Sequence, residues 1–462
     1  MSGTSAAGQA TRRICCLATI AVAAACAPPR TDLPGPQADL DMRYSFASAT
    51  AGGHASGQPW WDAFDDPLLA ELVLDGLRRN AAVSAAQARV TQARANAEIE
   101  GVRFDPNIDA SATLSGSTAD DNVTEAANVS VSFPLDVSRR QQREQDRALI
   151  EVADALAARD QLVQQLSGDI ALRFVRYSTN DERLRNARED LRRRQTLAGA
   201  VESQVEAGDA TQLDLFRARA SALDVRAALR ALEGEQAAQI RELTALLGGT
   251  PQVAAQLAPG RGPLWLRADR SPSAVPADLV RARPDIRRIE LRYEAARTRV
   301  TDAEADRLPR VSITGSIGGS GGELGWQFGP SISLPPLTAR VRDATVEREI
   351  AAAQAILFEW QDAVVSAVSE VEAAHARWRA ARAQVEDLRG ADREYAAALA
   401  VAEDLFAAGE ITLLDFLDLQ QARSETRRSL TDARSAYLEA FIVLNIALGA
   451  QDGLSDALAQ AT

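Results

Sequence analysis

The stretch that decides the fold is Phe406–Asp418, with the sequence FAAGEITLLDFLD, because much of it occurs twice in the chain. The earlier copy is Val205–Arg217, with the sequence VEAGDATQLDLFR. Three residue types recur 201 positions apart, in the pairs Gly208 and Gly409, Thr211 and Thr412, and Asp214 and Asp415. The chain therefore contains an internal repeat.

Each copy predicts a sharp turn between two helices. A glycine such as Gly409 permits the positive φ that ends a helix. The spacing Thr-x-x-Asp is typical of a capping box, in which Thr412 and Asp415 begin the next helix. We therefore expect helix, turn and helix at both copies.

Two pairs of strand-like segments are related by the same offset. Apolar and polar residues alternate in each segment, which is the period of a strand with one apolar face. The ends also match, since Ser130–Pro134 reads SVSFP and Ser331–Pro335 reads SISLP. We predict four strands, at about 107–117, 127–134, 310–320 and 325–335.

A long helix is predicted after each strand pair. In the first repeat, apolar residues lie seven apart at Leu149, Leu156, Val163, Ile170, Tyr177, Leu184 and Leu191. The second repeat keeps this frame from Ile350 to Val385 and loses it only at Asp392. A heptad stripe of this length predicts coiled-coil packing. A helix from about Arg140 to Val205 would be on the order of 100 Å long.

The predicted fold class is mainly α with a small β part, built from two tandem repeats. Each repeat contains a helix, a strand pair, a long helix, a turn and a shorter helix. The first repeat spans 66–250 and the second spans 286–450. A segment rich in Gly and Pro, 251–285, is predicted to link them. An extended segment, 26–65, precedes the repeats, and a tail, 451–462, follows them.

The N-terminus resembles a signal peptide. Arg12 and Arg13 precede the apolar run Ile14–Ala25, which is too short to span a bilayer but fits a signal core. We therefore expect residues 1–25 to be removed. Three alanines before Cys26 resemble the cleavage site of a bacterial lipoprotein, which predicts lipidation of Cys26. The alternative is ordinary signal cleavage at the same site, with Cys26 unmodified.

Composition excludes several function classes. A net charge of −13 and the lack of any lysine argue against a nucleic-acid surface, which needs a basic patch. A phosphate-binding loop of the Walker type requires lysine, so nucleotide hydrolysis is not expected. With only two histidines, His54 and His375, and no cysteine pair after the signal, we expect neither a metal site nor a cofactor. No catalytic constellation is found, and we predict that the protein is not an enzyme.

Any membrane crossing is predicted to use the strands. No apolar run after the signal reaches the roughly 18 residues that a membrane helix needs, whereas Asn107–Ser117 has the length of a tilted membrane strand. Only a closed barrel satisfies backbone groups in lipid, and four strands are too few to close one. Two chains would supply eight strands, and three chains would supply twelve and room for a pore. The alternative is a small soluble sheet.

Four motifs together resemble those of a known family: Trp60-Trp61 with Asp66-Pro67-Leu68, Pro276–Asp285, Leu308–Arg310 and Gly409–Leu419. On these motifs, and over essentially the whole mature sequence, the chain resembles an outer-membrane factor of the TolC and OprM type, in the OprM-like lipoprotein branch. The resemblance implies a homotrimer with a 12-stranded β-barrel in the outer membrane. That barrel would continue as a 12-helix coiled-coil α-barrel in the periplasm.

The resemblance also implies a function as the exit duct of a tripartite efflux pump. The implied partners are outer-membrane lipid, a periplasmic adaptor and an inner-membrane transporter of the resistance-nodulation-division type. The cargo would be small molecules such as drugs. A duct for type I protein secretion or for metal ions is an alternative, and so is a periplasmic coiled-coil scaffold without a pore.

Positions that have a functional role in the family correspond to residues of both turns in this chain. The resemblance implies that the turns form the periplasmic tip that contacts the adaptor, through Gly208, Thr211, Gly409 and Thr412. It further implies that acids after the second turn, Asp415 and Asp418, line a constriction, and Asp214 of the first turn is a further candidate for this gate. Capping also explains Asp415, because Asp214 occupies the matching place in the first copy. Capping does not explain Asp418, because its repeat mate is Arg217.

One feature of the family's tip differs in this chain. Family members latch the closed tip through a Tyr before the Gly and an Arg after it. The corresponding residues here are Phe406 and Ile411. The latch therefore lacks both its hydroxyl group and its charge, and we expect closure to depend on helix packing and on the ring of aspartates.

Overall fold

A computed structural model describes residues 33–36, 59–102, 105–117, 122–136, 138–249, 257, 264–266, 283–320, 323–334 and 339–449. The predicted signal peptide, Cys26 and the C-terminal tail lie outside the described residues, as do most of the extended segment and the linker. The described residues fall into two compact units. The sheet unit contains 33–36, 88–157 and 287–362 within these limits, and the helix unit contains 59–87, 158–286 and 363–449.

The first helix begins where the sequence predicts. A short 3₁₀ helix, Trp60–Phe64, precedes α1, which is Pro67–Arg79. Oδ1 of Asp66 accepts hydrogen bonds from the backbone N–H groups of Leu68, at 2.9 Å, and Leu69, at 3.4 Å. Asp66 is therefore the N-cap and Pro67 the first helical residue, where its missing N–H costs nothing.

The remaining elements form two repeats in the predicted order. They are α2 (Ala81–Val102), β1 (Asn107–Ser117), β2 (Asn122–Leu135), α3 (Arg140–Ala207), α4 (Gln212–Leu246), α5 (Pro284–Ala305), β3 (Arg310–Ser320), β4 (Glu323–Ser333), α6 (Ala339–Ala407) and α7 (Leu413–Ala447). The fold is mainly α with a small antiparallel sheet, as predicted. Among the helices of the described residues, none has both the length and the apolar composition that a membrane crossing requires.

The sheet unit contains one four-stranded antiparallel sheet in the order β1-β2-β3-β4. Apolar residues form rows across its strands, because the register pairs Ala110 with Val129, Val129 with Ile317 and Ile317 with Trp326. The apolar side chains of β4 are exposed, Trp326 by 80% and Phe328 by 75%. The sheet therefore presents an apolar face that no described residue covers.

Beside the sheet, α5 packs on α6. Tyr293, Ala296 and Val300 of α5 form a buried cluster with Ala353 of α6 and with Leu33 from the N-terminal segment. The hydroxyl group of Tyr293 donates a hydrogen bond to the carbonyl oxygen of Pro34. This short described segment, 33–36, is therefore fixed on the two helices.

The helix unit has a core centred on the paired tryptophans. Trp60 and Trp61 are each 2% exposed and meet edge to face, with ring centroids 5.6 Å apart. They share one buried cluster with α1, with Ile170 and Phe174 of α3, and with Phe441 of α7. The tryptophans of the sequence motif thus anchor α1 to the longer helices.

The heptad stripe is buried along the part of α3 and α6 that lies in the helix unit. Its buried members are Val163, Ile170, Tyr177, Leu184, Val364, Val371, Trp378 and Val385. Leu149, which belongs to the sheet unit, is 60% exposed. The predicted stripe is therefore confirmed along the helix unit. Its first member, Leu149, is not buried by any of the described residues.

Candidate functional site

Both predicted turns end a long helix with the same hydrogen-bond pattern. In the first, the N–H of Gly208 donates to Val205 O at 3.1 Å and the N–H of Asp209 donates to Gln204 O at 2.8 Å. In the second, the matching bonds are Gly409 to Phe406 at 3.0 Å and Glu410 to Leu405 at 2.9 Å. This pattern is the Schellman motif, which needs a positive φ. The glycines supply it, with φ of 86° at Gly208 and 74° at Gly409.

A capping box starts each following helix. The N–H of Asp415 donates to Thr412 Oγ1 at 3.2 Å, and Oδ2 of Asp415 accepts from the N–H of Thr412 at 3.2 Å. Thr211 and Asp214 make the same pair of bonds with the same lengths. The sequence-based prediction of two capping boxes is confirmed, and Asp415 has a structural role.

The two turns pack on one another through apolar side chains of the helix unit. Val201 and Leu215, on either side of the first turn, are buried with Leu413, the first residue of α7. Phe406 and Leu417, on either side of the second turn, pack against this cluster while partly buried. The repeated turns are therefore one structural site.

Phe406 and Ile411, which replace the family's latch residues, also pack in an apolar cluster. The ring of Phe406 stacks on Phe416, with centroids 5.2 Å apart and ring planes 11° from parallel. Both Phe406 and Ile411 are half-buried against Leu399 and Ala402 of α6. At the position where the family's latch has a Tyr hydroxyl group, this chain therefore has an aromatic stacking contact.

The two turns differ in charge although their backbones agree. Nη1 of Arg217 lies 4.0 Å from Oδ1 of Asp214. The hydroxyl of Thr211, its backbone N–H and the charge of Arg217 together lower the pKa of Asp214. In the second turn the residue three positions after Asp415 is Asp418, and both side chains are exposed. At these two matched positions the first turn therefore has an ion pair and the second has two acids.

One feature of the site was missed in the sequence. Charged side chains of α3 and α7 face each other in antiparallel order: Arg176 with Glu439 at 3.5 Å, Glu182 with Arg434 at 2.7 Å, Arg183 with Asp432 at 2.6 Å, and Glu189 with Arg427 at 3.3 Å. On α3 these residues lie seven apart in two series, beside the apolar stripe. This seven-residue spacing of charged residues beside an apolar stripe could have predicted that charges pair between helices.

The family model for outer membrane efflux proteins matches residues 72–249 and 275–450 of the chain. The chain belongs to the outer membrane efflux protein family. Both turns and all four strands lie within the matched ranges. The resemblance found in the sequence motifs is confirmed.

Individual known proteins are similar to this chain over most of its length. Nodulation protein T of Rhizobium leguminosarum bv. viciae is 31% identical over 91% of this chain and 89% of its own length. The pyoverdine export outer membrane protein OpmQ of Pseudomonas putida is 28% identical over 85% of this chain and 88% of its own length. The fold is similar to the open state of the MtrE outer membrane channel of Neisseria gonorrhoeae. In that comparison the TM-score is 0.80, the identity is 23%, and 93% of this chain and 99% of the channel chain are covered.

Proposed function

We propose that the chain forms the outer-membrane exit duct of a tripartite efflux pump. The duct is a passive trimeric channel that carries small molecules from an inner-membrane pump and a periplasmic adaptor to the exterior. The observation that most supports this proposal is the apolar, exposed face of a four-stranded sheet in a member of the outer membrane efflux family. Small-molecule cargo is favoured because a relative over most of the chain is a pyoverdine export protein.

The edges of the sheet support a shared barrel. Within the described sheet, β1 and β4 each pair on one side only. An unpaired strand edge costs several kcal/mol per backbone group in lipid. Because the four strands alternate in direction, β4 of one copy runs antiparallel to β1 of the next, so that three copies close twelve strands. Trp326 and Phe328 then face lipid.

In this proposal the paired turns form the periplasmic tip of the duct. The adaptor contacts the tip at Gly208, Thr211, Gly409 and Thr412, and the inner-membrane transporter is of the resistance-nodulation-division type. Exposed apolar side chains beside both turns favour a protein partner there. These are Leu213, which is 56% exposed, Phe216, 63%, and Leu414, 49%.

The acids of the second turn are proposed to line the constriction. Oδ2 of Asp415 is engaged in the capping box, which leaves Oδ1 for ions. Asp415 has no cation three positions later, because Asp418 occupies the position that Arg217 has after Asp214. Three copies would bring six carboxylates together, a set of hard oxygen ligands that suits divalent cations. Phe406 and Ile411 hold α6 against α7 when the tip is closed.

The predicted domain bounds and the lipid anchor complete the proposal. Residues 1–25 are removed as a signal peptide, and Cys26 then carries a lipid in the outer membrane. The repeats at 66–250 and 286–450 build the duct, and the segment at 251–285 connects them. A scaffold without a pore is disfavoured, because it would leave Trp326 in water without a function.

The test is reconstitution of the purified protein. We expect a trimer in detergent and ion conductance in planar bilayers. A monomer without conductance would overturn the proposal. Phe328→Arg places a charge on the lipid-facing side, where it costs up to about 2–4 kcal/mol, and should block insertion. Gln327→Arg, one residue away on the opposite face, is the matched control and should insert normally.

A further inference from the structure

The helix unit contains a cavity of about 490 Å³ between α3, α4, α6 and α7. This volume lies in the range of about 300–1,000 Å³ that is usual for small-molecule sites. We propose that the cavity binds a small organic anion with an apolar body, such as an aromatic carboxylate. The inference goes beyond the proposed duct, because it does not require the ligand to be cargo.

The lining of the cavity is positive although the chain as a whole is negative. Five arginines line it: Arg183, Arg193, Arg423, Arg427 and Arg428. Three acids line it too, Asp190, Glu235 and Asp432, so the lining residues alone have a formal charge of +2 in a chain of net charge −13. Two acids outside the lining, Glu189 and Asp392, pair with lining arginines and balance this charge. The site therefore offers a ligand guanidinium donors rather than a net positive field.

Several of these arginines have hydrogen-bonding capacity that the protein does not use. Arg193 and Arg427 share one carboxylate, Glu189, at 3.6 Å and 3.3 Å. Arg428 has no ion-pair partner within the part of the chain that the structure describes. The buried Nε of Arg423 forms an ion pair with Oδ1 of Asp392 at 3.7 Å but makes no hydrogen bond. A bound carboxylate would accept hydrogen bonds from these guanidinium groups.

A buried amide and an apolar wall complete the site. Gln420 lines the cavity, is 7% exposed, and has no hydrogen-bond partner at Oε1. This oxygen is an acceptor, so a water or a donor group on the ligand's body would satisfy it, and the carboxylate itself would not. Ala228, Leu232 and Leu399 also line the cavity. These side chains provide the apolar surface that would contact the ligand's body.

Equilibrium dialysis of the full-length protein in neutral detergent tests the proposal, with 2-naphthoate as the anionic probe. Detergent alone corrects for uptake by micelles, and 2-naphthamide is the neutral isostere. We expect saturable binding of one naphthoate per chain, about tenfold or more tighter than the amide, because a charge-assisted hydrogen bond contributes that much. Equal binding of the two probes, or no saturable binding, would overturn the proposal.

Variants locate the site. Arg428→Gln and Arg423→Gln should each weaken naphthoate binding about tenfold. Ala228→Phe, which fills the cavity without changing charge, should abolish binding. Arg230→Gln is the matched control, because Arg230 lies on α4 outside the cavity lining and its side chain is 76% exposed. With the trimer intact in every variant, undiminished binding in both Arg428→Gln and Ala228→Phe contradicts the assignment.

Discussion

The ring of Phe406 stacks on the ring of Phe416, with centroids 5.2 Å apart and planes 11° from parallel. The stack joins the last turn of α6 to the first turn of α7 across the Gly409 turn. Such a pair contributes about 0.5–1.5 kcal/mol beyond the burial of its area. The contact has no charge and no hydroxyl group, so salt and pH should affect it little.

Phe406→Leu should therefore favour opening of the tip. Leucine keeps an apolar side chain but loses the stack, and about 1 kcal/mol corresponds to a roughly fivefold shift in the closed-to-open ratio. Single-channel recording would measure this ratio as the fraction of time spent open. Phe406→Tyr keeps the stack and adds the hydroxyl group of the family's latch, so it should spend no more time open than the wild type. An unchanged open fraction in Phe406→Leu would show that the stack does not restrain the tip.

Gly409→Ala should destabilise the second turn. An alanine at a φ of 74° costs about 1–2 kcal/mol, even though a Cβ there would meet no atom within 4 Å. Gly390→Ala is the control, because Gly390 lies inside α6 in open space and alanine should stabilise the helix by about 0.5–1 kcal/mol. Thermal unfolding should show opposite shifts, and shifts of the same sign would contradict the argument.

The repeat and most of the element bounds could be predicted from sequence, because they depend on local patterns. The heptad spacing from Leu149 located α3, and alternation located β1 and β3 at their observed limits. The start of β2 was predicted at about residue 127, but the strand begins at Asn122. Thr124 and Glu125 interrupt the alternation, and pairing with β1 extends the strand through them.

Contacts between distant residues could not be predicted in the same way. The ion pair of Arg183 with Asp432 joins residues 249 positions apart, and one sequence does not say which charges face each other. The sequence drew attention to Phe406 only because the family has a Tyr, with a hydroxyl group, at this position. The sequence did not predict that the ring of Phe406 stacks on the ring of Phe416, because this contact depends on how α6 and α7 pack.

The first turn should lose stability in acid through Asp214. Hydrogen bonds from Thr211 lower the pKa of this carboxyl in the folded protein. Its contribution is therefore complete above the unfolded pKa of about 3.9, and it disappears as the pH falls through the lower folded pKa. The stability difference between the wild type and Asp214→Asn should be constant from pH 7 to about 5 and should decrease below about 4. A decrease that begins near pH 6 would contradict this assignment.

Trp265 should contribute to the stability of the helix unit through its two arginine neighbours. The guanidinium carbon of Arg434 lies 4.6 Å from the ring centroid, and that of Arg389 lies 5.3 Å from it. Trp265→Leu removes both cation–π contacts and should cost about 1 kcal/mol. Trp265→Tyr retains a π face and should cost less. Equal melting temperatures for the two variants would mean that the contacts contribute nothing.

The central claim is that the two turns share a backbone while the second alone supplies the acids of a duct constriction. Asp418→Asn tests it most directly, because Asp418 is exposed and lies outside the capping box. Asp209→Asn, which neutralises an exposed acid of the first turn, is the matched control.

The decisive measurement is block of the reconstituted channel by Mg²⁺ in planar bilayers. We expect a cation-selective conductance in the wild type and in Asp209→Asn, with the same block in both. Asp418→Asn should need an about fivefold higher Mg²⁺ concentration for half block, since an exposed charge interaction is worth up to about 1 kcal/mol. Equal block in Asp418→Asn and the wild type would contradict the constriction.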